Sequence, residues 1–212
     1  MFRQSSIALI GAALVFGAAA CITPAAATDS SASRARVERG KYLVTIGGCN
    51  DCHTPLKMGA KGPEPDMARM LSGHPEAFPI TGGTAAPSPA WLMTMAASGT
   101  AFSGPWGVSF AANLTPDENT GLGIWTEEMF VKAVRTGRHM GVSRPILPPM
   151  PWPNVGAMND DDLKAVYAYL RSIQPVHNRV PDPLPPPSAA VAANHAAQSA
   201  DAAVQQVPPV RD

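Results

Sequence analysis

Residues 49–53 read Cys-Asn-Asp-Cys-His, and few pentapeptides restrict a chain so much. Two thiols at this spacing with an imidazole directly behind them suit a redox dithiol, half of a zinc site or the covalent seat of a haem. Which of the three applies depends on what the rest of the chain supplies.

It supplies one further cysteine, Cys21. That residue lies in an N-terminal stretch with a cation at Arg3, an apolar run from Ile7 to Ala20 and a small-residue exit at Ala25-Ala26-Ala27. This is the layout of a signal peptide cut after Ala27, at residues 1–27. The apolar run is shorter than the roughly 20 residues a spanning helix needs, although an uncleaved membrane anchor stays open. Ala-Ala-Ala-Cys also resembles a lipoprotein processing site, with Ala18 standing where a leucine-like residue is usual; lipidation of Cys21 is the second alternative.

Cleavage leaves Cys49 and Cys52 as the only thiols, which removes a four-cysteine zinc site and a disulfide framework. A redox dithiol belongs at the start of a helix within alternating strands and helices, whereas this pair ends a helical-looking run, RVERGKYLVTIGGCNDCH. Zinc would have to recruit from His53, His74, His139, His177 and His195, none of them paired at a finger-like spacing. Haem c needs two thioethers on one face of a helical turn and a histidine beside the second, which C-x-x-C-H provides. The reading is one covalent haem c per chain, with Cys49 and Cys52 as thioether anchors and His53 as the proximal iron ligand.

The second axial ligand decides the function. A methionine sulfur raises the reduction potential and leaves no open position, whereas histidine gives a lower-potential centre. Nine methionines follow residue 27, and most methionines fill cores. Met150 stands apart in ILPPMPWP, where prolines stiffen an extended loop that presents one sulfur. Met158 is its rival, directly before the Asn159-Asp160 cap; His74, His139 and His177 are weaker candidates.

Helical periodicity is clearest in two places. Val37, Tyr42, Leu43 and Ile46 mark a helix leading into the haem motif. Leu163, Val166, Tyr167 and Leu170 mark another, capped at Asn159 or Asp160, with acids in its first turn and Arg171 near its end. Between them, residues 56–110 are rich in Gly, Pro and Met and too long for an ordinary loop. They read as a haem-covering loop and docking surface, or simply as apolar cover from Trp91, Met93, Met95 and Trp106. Pro63, or alternatively Pro55, could offer a carbonyl to the other ring N–H of His53. Residues 181–212 are Pro- and Ala-rich and read as a disordered tail.

Three stretches together carry a resemblance: RVERGKYLVTIGGCNDCHTP, NLTPDENTGLGIWTEEMFVKAVRTGRHMG and LPPMPWPNVGAMNDDDLKAVYAYLRSIQPV. Over residues 34–180 the chain resembles class I-type c-type cytochromes, and most of all the cytochrome c domains that accompany bacterial periplasmic alcohol and aldehyde dehydrogenases. The resemblance implies a small all-α cytochrome c-like domain, helices wrapped around one covalent haem with long loops. It implies thioethers at Cys49 and Cys52, His53 as proximal ligand, Met150 as distal ligand, and a crossing of the first and last helices at Gly40 and Tyr169. Many relatives carry two or three such domains, whereas this chain has one C-x-x-C-H.

Loss of residues 1–27 removes Arg3 and no acid, leaving 15 basic against 16 acidic residues. Near-neutral charge gives no field for nucleic acid, and docking would rest on local patches around the haem edge. The expected protein is therefore a periplasmic electron carrier rather than an enzyme, with redox proteins as partners: a dehydrogenase, an oxidase or another cytochrome. Membrane contact is expected only through an N-terminal anchor or lipid. The alternatives are a peroxidase-like haem enzyme or a haem-based ligand sensor, both requiring an open distal position.

Overall fold

A computed structural model describes residues 25–81 and 91–186. The expected leader at 1–27 lies almost wholly outside them, as does 187–212 of the expected tail. Five α-helices are present: α1 (Ala25–Ile46), α2 (Cys49–His53), α3 (Glu127–Thr136), α4 (Trp152–Gly156) and α5 (Asp160–Ser172).

Helix α1 packs lengthwise on α5, and the crossing is tight because of Gly40. A Cβ there would lie 1.9 Å from the Ala165 carbonyl oxygen and 2.8 Å from Tyr169 Cβ, so only glycine admits the approach. Leu43 and Val44 of α1 meet Leu163, Val166 and Leu170 of α5, with Phe130 and Val134 of α3 completing an apolar core. Fully burying such side chains contributes roughly 1.5–3 kcal/mol each.

The caps are local and strong. Asn159 Oδ1 accepts from the Asp162 amide at 2.8 Å, and Asp160, Asp161 and Asp162 face the positive end of α5. Thr126 Oγ1 accepts from the Met129 amide at 3.2 Å, and Gly137, at φ 64°, ends α3 in the left-handed conformation.

The fold is not all-α. Two antiparallel sheets occupy the stretch read as loop: β1 (Leu56–Gly59) with β2 (Gly62–Pro65), and β3 (Thr94–Met95), β4 (Ala101–Gly104) and β5 (Gly107–Phe110) in the order β3-β4-β5. Prolines and glycines that forbid helix here do not forbid short hairpins. Gly59 pairs with Gly62 to close β1–β2, and Gly104 pairs with Gly107 to close β4–β5. Pro63 and Pro65 are tolerated because β2 is an edge strand. Strands of four residues or fewer show too little alternation to be read from sequence. The chain past α5 also joins this half, since Leu184 and Val108 exchange backbone hydrogen bonds of 3.0 and 2.9 Å.

Candidate haem site

Helix α2 is a turn and a half long and opens at Gly48, whose φ of 65° lets α1 stop and the chain turn. Cys49 and Cys52 stand three residues apart, so their side chains lie on one helical face. Neither is in a disulfide. Burial pushes the Cys49 thiol up, and the nearby Asp51 charge adds to the effect; the same two causes, in the same order, raise Cys52. A reactive dithiol needs the opposite shift. Among the described residues, no cluster of three or more His, Cys, Asp or Glu side chains could hold a metal ion.

His53 is buried, and its Nδ1 lies 2.8 Å from the Ala112 carbonyl oxygen. A carbonyl only accepts, so Nδ1 carries the proton and Nε2 keeps the lone pair. Burial lowers the imidazole's proton affinity, against the carbonyl bond, and keeps the ring neutral. Ser72 Oγ is the only enclosed side-chain oxygen or nitrogen without a partner among the described residues. Among the described residues Nε2 has no hydrogen-bond partner. Two protonated thiols on one face beside a neutral imidazole with a free lone pair form a donor set that fits haem c.

The carbonyl behind His53 is not the one expected. Pro63 sits in β2 opposite Met58, and the Pro55 carbonyl accepts instead from the Asp66 amide at 2.8 Å. Ala112 comes from the segment leading into NLTPDENTG, 59 residues from His53 in sequence. A backbone carbonyl leaves no side-chain signature, so only the flanking motif pointed to this stretch.

The candidate distal residues have different surroundings. Met150 is half-buried and follows Pro148 and Pro149; the Pro148 carbonyl accepts from Ser109 Oγ at 2.5 Å, which ties the methionine loop to β5. Met158 is half-buried and packs on the apolar core, a cluster that does not include Met150. His74 is fully buried with both ring nitrogens engaged, Nδ1 with Thr100 Oγ1 at 2.9 Å and Nε2 with the Phe78 carbonyl at 2.8 Å. His139 lies edge-on to Trp125, and His177 Nδ1 is 3.5 Å from Asp117. Of these three histidines, His74 has no ring nitrogen left for a ligand.

A helical shell crossing at a glycine, with a C-x-x-C-H turn ending in a buried imidazole, is an arrangement that suits a cytochrome c-type domain. No family model matches the chain. It is 32% identical over 77% of its length to the gluconate 2-dehydrogenase cytochrome c subunit of Pantoea cypripedii, of which it covers 29%. It is 30% identical over 74% of its length to the cytochrome c subunit of the quinone alcohol dehydrogenase of Gluconobacter oxydans, covering 26% of that protein. The fructose dehydrogenase cytochrome subunit of Gluconobacter japonicus is 28% identical over 81% of the chain, which covers 28% of that relative. The chain is homologous to the cytochrome c subunits of bacterial dehydrogenases, and it spans less than a third of the relatives' length.

Proposed function

We propose that this chain is an exported, single-haem c-type cytochrome that carries electrons between a dehydrogenase and a terminal acceptor. The observation that supports the reading most is the His53 hydrogen bond to Ala112, which fixes the tautomer and leaves Nε2 for iron. Cys49 and Cys52 would hold the haem through thioethers, with His53 as a ligand of its iron. Met150 would supply the second iron ligand through its sulfur. Its proline-stiffened loop holds it apart from the core, whereas Met158 is already used in packing. Haem, when bound, supplies one-electron exchange at its iron.

The chain's own part is to hold and shield. His53 orients the proximal bond, and the Ser109 contact anchors the methionine loop from the sheet half. Export places the protein in the periplasm. Among the described residues no helix is long and apolar enough to cross a membrane.

Expression with a cytochrome c maturation system tests the reading. A haem stain surviving denaturing electrophoresis, and a low-spin spectrum that becomes high-spin and binds carbon monoxide in Met150→Ala, are the expected results. A wild type that is high-spin or binds carbon monoxide freely would overturn the closed electron-transfer centre. A change confined to Met158→Ala would reassign the ligand alone.

A further inference from the structure

Ala111 and Leu114, on either side of Ala112, are held by backbone hydrogen bonds, and a further support comes from beyond α5. Two backbone segments lie side by side behind His53. The His74 amide donates to the Ala111 carbonyl at 2.9 Å and the Leu114 amide to the Leu71 carbonyl at 2.9 Å, while the Gly73 amide donates to the His53 carbonyl at 2.8 Å. The fit is close, since a Cβ on Gly73 would lie 2.6 Å from the Ala112 carbonyl carbon.

Asn178 joins these segments. It is buried, its Nδ2 donates to the Ser72 and His74 carbonyls at 2.7 and 2.8 Å, and its Oδ1 accepts from the Glu76 amide at 2.9 Å. Its own amide donates to Thr120 Oγ1 at 3.0 Å, an oxygen that also accepts from Asn113 Nδ2 at 3.2 Å. Asn113 follows Ala112 directly, and its Oδ1 accepts from the Thr115 amide at 3.0 Å. One side chain thus grips the segment under His53 while its backbone grips the loop that carries the accepting carbonyl. Three of the four side-chain hydrogen-bonding capacities of Asn178 are used, and no aliphatic or charged residue of similar size could fill the same three.

We propose that Asn178 is a positioning residue for His53, acting through the Ala112 carbonyl to set the electron-donating strength of the imidazole; this rests on the haem reading above. A hydrogen bond from Nδ1 makes the ring more electron-rich and favours the more highly charged iron. Loosening the Ala112 carbonyl weakens that bond and raises the reduction potential.

The test uses the haem-loaded full chain as wild type, Asn178→Ala and the gentler Asn178→Ser, with Thr126→Ala as a remote destabilised control. Two quantities are read: the midpoint potential, and the solvent exchange of the His53 Nδ1 proton by NMR in the reduced protein. Both Asn178 variants are expected to show a higher potential and exchange faster by about fivefold or more, the factor for roughly one hydrogen bond's net energy. Thr126→Ala should lower the melting temperature and move neither quantity. Folded Asn178 variants with unchanged exchange, or with an unchanged or lowered potential, overturn the proposal; if Asn178→Ala does not mature, Asn178→Ser decides. A wild type that takes up no haem defeats the parent reading instead, so the two failures are distinct.

Discussion

The helical half and the sheet half of this molecule are held together by different chemistry. Around α1, α3 and α5 the buried side chains are Leu, Val, Phe and Ala, and cohesion comes from apolar area and shape. Among the described residues the buried polar side chains all lie outside those helices: His53, Thr54, Ser72, His74, Ser98, Thr100, Ser109, Asn113, Thr115 and Asn178. There cohesion depends on directed hydrogen bonds, each tolerable in the interior only while its partner is present. A region short of large apolar side chains can still be rigid, and rigidity is what a ligand-bearing histidine needs behind it.

The largest effect should come where shape alone is at stake. Gly40→Val puts side-chain atoms into the Ala165 carbonyl, and loss of the α1–α5 crossing should lower stability by on the order of 4 kcal/mol or more in urea unfolding. A paired substitution then separates the two halves. Asn113→Leu, similar in volume, strands the Thr115 amide and takes one partner each from Thr115 Oγ1 and the Val176 carbonyl, which keep each other, and should cost about 2–3 kcal/mol. Leu163→Met, equally buried, should cost less than about 1.5 kcal/mol. Equal losses in that pair would mean the polar half is no more exacting than the apolar one.

A smaller effect is carried by pH. Burial holds the His74 ring neutral, with its pKa below the ordinary histidine value despite the bond to the Phe78 carbonyl. The unfolded chain takes up a proton near pH 6.5 while the folded one resists. The contribution of His74 is thus full above the unfolded pKa and is lost as pH falls from there toward the depressed folded value. His74→Gln should flatten that part of the stability–pH curve measured by denaturant titration, at a lower plateau. The smallest change is the cap: Thr126→Ala removes the acceptor for Met129 and should cost about 1 kcal/mol by thermal unfolding.

What the sequence made legible follows the same division. Helical spacing at Leu163, Val166 and Leu170, the Asn159 cap and the glycine at position 40 are short-range signals, and the structure places each in its expected element. The C-x-x-C-H turn was legible because its chemistry is compressed into five residues. The sheets were not, because hairpins built from Gly-Pro-Glu-Pro and Gly-Val-Ser-Phe lack the length for alternation to register. Ala112 and Asn178 were not, because one acts through a carbonyl that every residue possesses and the other reaches partners about a hundred positions away. By sequence His74 is one of the weaker ligand candidates; its two engaged nitrogens give it a structural place that no spacing in the sequence announces.

The reach of Asn178 also fixes an order in time. Its bonds to Ser72 and His74 span 106 and 104 residues of sequence, whereas the turns around α2 close within three or four. Contacts so distant form late, because the entropy of closing a long loop is lost before the bond repays it. A chain made from its N-terminus therefore exposes Cys49 and Cys52 well before the support behind His53 is complete. The thiols are accessible for modification during that interval, and the last residues of the domain then close the support behind the imidazole.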